Sequence, residues 1–202
     1  MKKRIGIFLL IVIASVFLFL HFPAKSIHQE TQTQKPAWNV CFSPEGGCTK
    51  VVVDALDQAK SSILVQAYSF TSEPIAEALI KARQRGLKVE AILDRSQVRA
   101  KNGQVKPLVE AGVPVSIDAS HSIAHNKVMV IDGATVITGS FNFSTNAAIY
   151  NAENLLIIND PSMATQYAAN WQKHRGHSEP YETWLVLDAT KQGHHKRRSQ
   201  SQ

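Results

Sequence analysis

Apolar positions along this chain change period several times, and each change predicts an element. Val51, Val52, Ala55, Leu56 and Ala59 recur at helical spacing. The short apolar run from Ile63 to Tyr68 predicts a buried strand. Glu73-Pro74 opens a helix that runs through Arg85, with Pro74 suited to its first turn and Gly86 to its end. Leu87 to Leu93 reads as a second strand, Lys106 to Ala111 as a short helix stopped by Gly112, and Val113 to Ile117 as a third strand. Lys127 to Ile131 and Thr135 to Thr138 are two strands joined at Asp132-Gly133, a hairpin dipeptide. Asn154 to Ile158 is a further strand, and Pro161 to His174 a helix with Met163, Tyr167 and Trp171 on one face. Such alternation predicts an α/β fold, a mixed β-sheet flanked by helices on both faces. No internal repeat is visible.

The ends follow other rules. Lys2-Lys3-Arg4 precedes an apolar run from Ile5 to Leu20, which reads as an export signal or membrane anchor over residues 1–24. Phe22 fits poorly at the −3 position of a cut after Ala24, so cleavage and tethering to the inner membrane both stay open. Residues 25–40 read as a polar linker, 41–188 as the folded domain, and 189–202 as a basic tail without regular structure. In a periplasmic or secreted protein Cys41 and Cys48 can form a disulfide around the turn Pro44-Glu45-Gly46-Gly47.

Charge adds one constraint. The formal net charge is +6, and loss of Lys2, Lys3 and Arg4 would halve it. A mildly basic domain suits a polyanion without requiring one.

The chemistry concentrates between His125 and Asn142. His125 and Lys127, two apart on an extended segment, project from the same face. A lysine ammonium can hold a phosphate as a point charge, and an imidazole can attack phosphorus or carry a proton. Gly139 permits a sharp turn that would bring Ser140, Asn142 and backbone amides to the same anion. Taken alone, the His-Lys pair also describes an ordinary loop-to-strand junction.

The combination is more specific. His-x-Lys, four residues, Asp, six residues, Gly-Ser-x-Asn resembles the signature of the phospholipase D superfamily. Gln66 to Thr71, Ile92 to Gln97, Thr138 to Ser144, Asn151 to Asn154 and the Trp171 helix look like its small bacterial endonuclease branch, over roughly Cys48 to His174. The resemblance implies a phospholipase D-like sandwich. It also implies metal-independent phosphodiester hydrolysis through a phosphohistidine on His125, with a second histidine as acid and base. One motif per chain then implies a homodimer with its active site at the two-fold interface. Lys127, Ser140 and Asn142 would bind phosphate, Glu153 would orient the imidazole, and Asp132 would belong to the motif mainly by holding its loop. No cofactor or metal is implied.

Other residues receive blander readings. His121 lies four before His125, but the segment leads into a strand, so no metal pair is assigned; His121 lines the cleft instead. His174 and His177 read as a solvated helix end, and Arg95 and Lys101 as surface within reach of a nucleic-acid backbone. Phe141 and Phe143 read as packing. The leading expectation is a sequence-nonspecific endonuclease acting on DNA, with RNA open. The alternatives are a phospholipase D-type lipid phosphodiesterase and a non-catalytic nucleic-acid-binding module at the membrane.

Overall fold

The computed structural model describes residues 37–199, with side chains through residue 190. The export segment of residues 1–24, the linker through residue 36 and residues 200–202 lie outside the described residues. One eight-stranded mixed sheet organises the domain. Its strands are β1 (Ala37–Ser43), β2 (Ser62–Ala67), β3 (Lys88–Asp94), β4 (Val115–Asp118), β5 (Lys127–Ile131), β6 (Thr135–Gly139), β7 (Glu153–Asn159) and β8 (Glu179–Pro180). Their order across the sheet is β1-β7-β6-β5-β2-β3-β4-β8. β2, β3 and β4 run parallel, and the other neighbours pair antiparallel.

Helices cover both faces, as the alternating pattern predicts. The helices α1 (Cys48–Gln58), α2 (Glu73–Gln84) and α3 (Val105–Glu110) cover one face. Their Val52, Leu56, Ile75, Leu79 and Leu108 are fully buried in a cluster with Ile63, Val65, Val89 and Leu93 of the sheet. A short α4 (Thr145–Ile149) follows β6. The opposite face is covered by α5 (Pro161–His177), whose Met163, Ala164, Tyr167 and Ala168 pack on Val128, Val130 and Val136. Trp171 of α5 is buried, and its indole N–H donates to the Val65 carbonyl at 2.8 Å. That bond satisfies the one polar group of a large buried ring. The final helix α6 (Tyr181–Ser199) places Trp184 in the core beside β4.

Two expected boundaries need correction. The linker expected through residue 40 ends earlier, because residues 37–40 belong to β1 and pair with β7 in the register Ala37↔Asn159 to Ser43↔Glu153. Pairing partners more than a hundred residues away supply the order that the local sequence does not. The tail expected to lack regular structure from residue 189 is helical through Ser199, continuing the turn that starts at Tyr181. Cys41 and Cys48 are joined by a disulfide, with Cα atoms 5.6 Å apart, tying β1 to the start of α1. Among the described residues no helix is long and apolar enough to cross a membrane.

The hairpin between β5 and β6 forms where Asp132-Gly133 predicts it. Both residues have positive φ, 55° and 63°, the backbone of the tight turn that suits twisted strands.

Candidate active site

β5 is a central strand, and its buried residues fix where its first residue points. Lys127 opens β5 and is only 8% exposed, while His125 lies exposed in the loop just before it. The loop is held on both sides of His125. The Ala124 amide donates to the buried Asp94 carboxylate at 2.8 Å. The Tyr68 amide donates to the Asn126 carbonyl at 2.8 Å, and the Gln66 side-chain amide donates to the Asn126 side-chain oxygen at 3.2 Å. Asp94 and Gln66 were legible only as parts of longer motif segments, and nothing local in the sequence marks their anchoring role.

His125 and Lys127 meet as their spacing predicts. Lys127 Nζ lies 3.1 Å from His125 Nδ1 and donates to the His125 carbonyl at 2.8 Å. A charged ammonium offers only protons, so Nδ1 accepts and the ring proton resides on Nε2. Tyr68 closes the pair from above, its ring 4.7 Å from the imidazole and 5.4 Å from the ammonium. Burial pushes the Lys127 ammonium below the ordinary lysine range, and the Glu153 carboxylate partly offsets that. An ammonium in this setting is poised to exchange its ring and carbonyl partners for a phosphate oxygen.

The second half of the motif is positioned by Gly139, whose φ is +143°. A side chain there would place Cβ 2.2 Å from the Asn154 carbonyl oxygen. That close approach lets the Ser140 and Phe141 amides donate to the same carbonyl, at 3.0 and 3.2 Å. Phe141 and Phe143 are buried, as expected of packing residues, and bracket Asn142. The Asn142 side-chain oxygen is buried with no hydrogen-bond partner. Such a group is uncommon in a folded interior and marks a place where a further partner is accommodated. Asn142 lines a groove with Tyr68, Ser69, Thr71, Lys101 and Asn146. Tyr68 is shared: it lines this groove and its ring stands 4.7 Å from that of His125.

Two expected roles are altered by the geometry, and the loop-holding expected of Asp132 takes a specific form. Ser140 does not face the groove with a free hydroxyl: it donates to the Asn154 side-chain oxygen at 3.1 Å and accepts from the Asn154 amide at 3.0 Å. It clamps the turn onto β7. Glu153 makes no hydrogen bond to His125 within the chain. Its carboxylate accepts from Asn151 at 3.0 Å and reaches the pair only through its charge on Lys127. Asp132 stands beyond the far end of β5, seven residues from His125 and about 23 Å along an extended chain at ~3.3 Å per residue. Its carboxylate accepts from the Lys60, Ser61 and Ser62 amides at 2.9, 2.8 and 3.0 Å and from the Ser61 hydroxyl at 2.8 Å. Burial acts to raise its pKa, but these four donors carry it below the usual carboxylate range. Asp132 therefore ties the β5–β6 hairpin to the turn before β2 and takes no part in chemistry at His125. Asp132→Ala is expected to cost about 2–3 kcal/mol in urea unfolding, by loss of charge-assisted bonds. The rate per folded molecule should stay unchanged.

The histidines set aside in the sequence are also regrouped. His121 does not pair with His125. With His174 and His177 it surrounds the fully buried Asp118, the ring centroids standing 5.0 to 5.1 Å apart. Burial would raise the Asp118 carboxyl, but hydrogen bonds from His174 and His121, and the charge of His121, hold it below the usual range. His174 and His177 do stand at the end of α5, with His177 exposed, but they also meet Asp118, a partner more than fifty residues away that the local sequence does not reveal.

A mixed sheet that presents a histidine–lysine pair at the start of a central strand, beside a glycine-serine turn, defines a phospholipase D-like domain. The family model described as cardiolipin synthase, PLD-like domain, matches residues 52–175, and the chain belongs to the phospholipase D superfamily, a family of phosphodiesterases. A Rickettsia typhi protein named phospholipase D is 46% identical over 133 residues, 66% of this chain and 65% of its own length. A Xenopus tropicalis mitochondrial cardiolipin hydrolase is 33% identical over 116 residues, covering 57% of this chain and 55% of its own. The match thus spans less than two thirds of the length of these curated relatives. The crystal structure of Nuc, a phospholipase D family member from Salmonella typhimurium, aligns with a TM-score of 0.69 at 35% identity, covering 73% of this chain and 99% of that one.

Proposed function

We propose that this protein is an exported, Mg²⁺-independent endonuclease that cleaves phosphodiesters of DNA, and of RNA where it is offered, without sequence preference. The observation that carries the reading is the contact of Lys127 Nζ with His125 Nδ1 at 3.1 Å, against Tyr68, which also lines the groove of Asn142 and Lys101. Once Lys127 turns from the ring to a phosphate oxygen, the ring proton moves to Nδ1 and the lone pair to Nε2. In the first step Nε2 attacks phosphorus, the P–O bond to one nucleoside breaks, and the departing oxygen takes a proton from a second imidazole. In the second step that imidazole removes a proton from water, which attacks the phosphohistidine and releases His125. Lys127 and Asn142 meet the charge on the non-bridging oxygens. Splitting the displacement in two lowers each barrier.

The second imidazole belongs to His125 of another copy in this reading. Ile123, two residues before His125, and Ile149 and Tyr150 are 56%, 54% and 76% exposed, apolar surface that a two-fold contact would cover. The alignment with Nuc, which covers 99% of that chain and 73% of this one, supports the nuclease assignment.

A lipid phosphodiesterase is the second reading. It is favoured by the relatives named phospholipase D and cardiolipin hydrolase and by the same exposed apolar groups, which could meet a bilayer. The assay that separates the two offers supercoiled plasmid and cardiolipin vesicles to the full-length protein, with no added Mg²⁺. Plasmid nicking that Mg²⁺ does not stimulate, with no headgroup or phosphatidate release, is the expected result. Lipid hydrolysis without nicking would transfer the assignment to the lipid reading.

A further inference from the structure

The cluster around Asp118 lies outside the machinery just described, and its geometry goes beyond hydrogen bonding. Asp118 ends β4 and is completely buried. His121 follows it in the loop that leads to His125. His174 and His177 lie three apart on the last turn of α5, so their rings share one face. One carboxylate oxygen, Asp118 Oδ2, is approached by three ring nitrogens: His121 Nδ1 at 3.0 Å, His174 Nδ1 at 3.1 Å and His177 Nε2 at 3.4 Å. A carboxylate oxygen has two in-plane lone pairs, so it cannot accept three good N–H bonds at once. Its companion Oδ1 already accepts from the Ser120 amide at 3.1 Å and stands 3.1 Å from the same His121 Nδ1. Three protonated imidazoles packed ring against ring would also repel one another.

A cation at the centre resolves this crowding, because each nitrogen then gives a lone pair instead of a proton. Four donors about 2.0–2.1 Å from a tetrahedral ion lie about 3.3 Å from each other. The three nitrogen-to-oxygen distances are close to that edge, and all four ligand atoms fall within 4.8 Å of one another. The donor set is three imidazoles and one carboxylate, which suits zinc and its borderline neighbours rather than Mg²⁺ or Ca²⁺. Four protein ligands leave no open position, the arrangement of a structural rather than a catalytic zinc.

We propose that Asp118, His121, His174 and His177 form a tetrahedral site for Zn²⁺ that fastens the loop before His125 to the end of α5. The loop is then held at two points, by the ion at His121 and by Asp94 at the Ala124 amide. Ser120 adds a third tie, its hydroxyl donating to the His177 carbonyl at 3.1 Å. The ion takes no part in bond breaking. It fixes where the imidazole of His125 stands.

The test uses the full-length chain purified without a polyhistidine tag, stripped of metal by chelator and dialysis, and titrated with ZnCl₂ and separately with CoCl₂. One Zn²⁺ per chain is expected, together with the intense visible absorption of tetrahedral Co²⁺ and a rise in Tm on adding Zn²⁺. His177→Gln should weaken Zn²⁺ binding at least roughly 10-fold, the scale on which even outer partners of metal ligands act, and should remove the Zn²⁺-dependent rise in Tm. A His194→Ala/His195→Ala variant should retain all three signals, which separates this site from the tail histidines. No bound ion, a weak octahedral Co²⁺ spectrum, or undiminished binding by His177→Gln would overturn the proposal. Circular dichroism confirms that His177→Gln is folded; should it not fold, His121→Gln takes its place with the same expectations.

Discussion

His125→Ala is expected to lower the rate of plasmid nicking by at least about 10⁴-fold, the scale on which removing a nucleophile acts in other covalent mechanisms. The loss should fall on chemistry and not on folding. His125 is exposed, and its ring lies against Lys127 and Tyr68. Deleting it therefore creates no cavity in the core and leaves the Lys127 ammonium its bond to the residue-125 carbonyl. Initial rates measured beside thermal melts separate the two effects: an unchanged melt with lost nicking is the expected pair. A residual rate within about tenfold of the parent would exclude a covalent role for this ring.

The largest stability effect is expected from Gly139→Ala, about 3–4 kcal/mol, combining a disfavoured backbone conformation with a clash. The added methyl would meet the Asn154 carbonyl oxygen at 2.2 Å, its carbon at 3.0 Å and the Leu155 Cα at 3.1 Å. All three are backbone atoms of a strand paired on both sides, by β6 and β1, so none can step aside cheaply. The strain should spread into the Ser140 clamp and shift Asn142, so activity should fall even among folded molecules. Urea unfolding gives the first quantity, and nicking at a temperature where the variant remains folded gives the second.

Much of this architecture is readable from periodicity because the elements are internally consistent. Ile63 to Ala67, Lys127 to Ile131 and the helix of Met163, Tyr167 and Trp171 each carry their own burial pattern. β1 carries none. Trp38, Val40 and Phe42 stay exposed along an edge strand whose order comes from β7, so no local rule separates it from a linker. β8, at two residues, is shorter than any period. The helix through Ser199 was missed because polar, basic composition reports solvation and not conformation.

The candidate site divides in the same way. His125 and Lys127 were legible because two residues on one strand must share a face. The duty of Ser140 was not, nor were the partners through which Asp132 holds its loop, since a motif preserves both catalytic and structural residues in one string. Asp132 binds the turn before β2, and Ser140 binds Asn154, contacts that only the folded sheet creates. Glu153 illustrates a further limit. Its reach to Lys127 is electrostatic and passes across strands, whereas the expected bond to the His125 ring is absent within one chain. The Asp118 cluster was the least legible of all. Its ligands come from a strand end, a loop and a distant helix, so no spacing rule assembles them.

A covalent phosphohistidine has a stereochemical consequence that no one-step hydrolysis shares. Two successive in-line displacements invert phosphorus twice. Hydrolysis of a phosphorothioate dinucleotide of single configuration in ¹⁸O-water should therefore proceed with net retention. Net inversion would mean that water attacks phosphorus directly and that His125 never bonds to it.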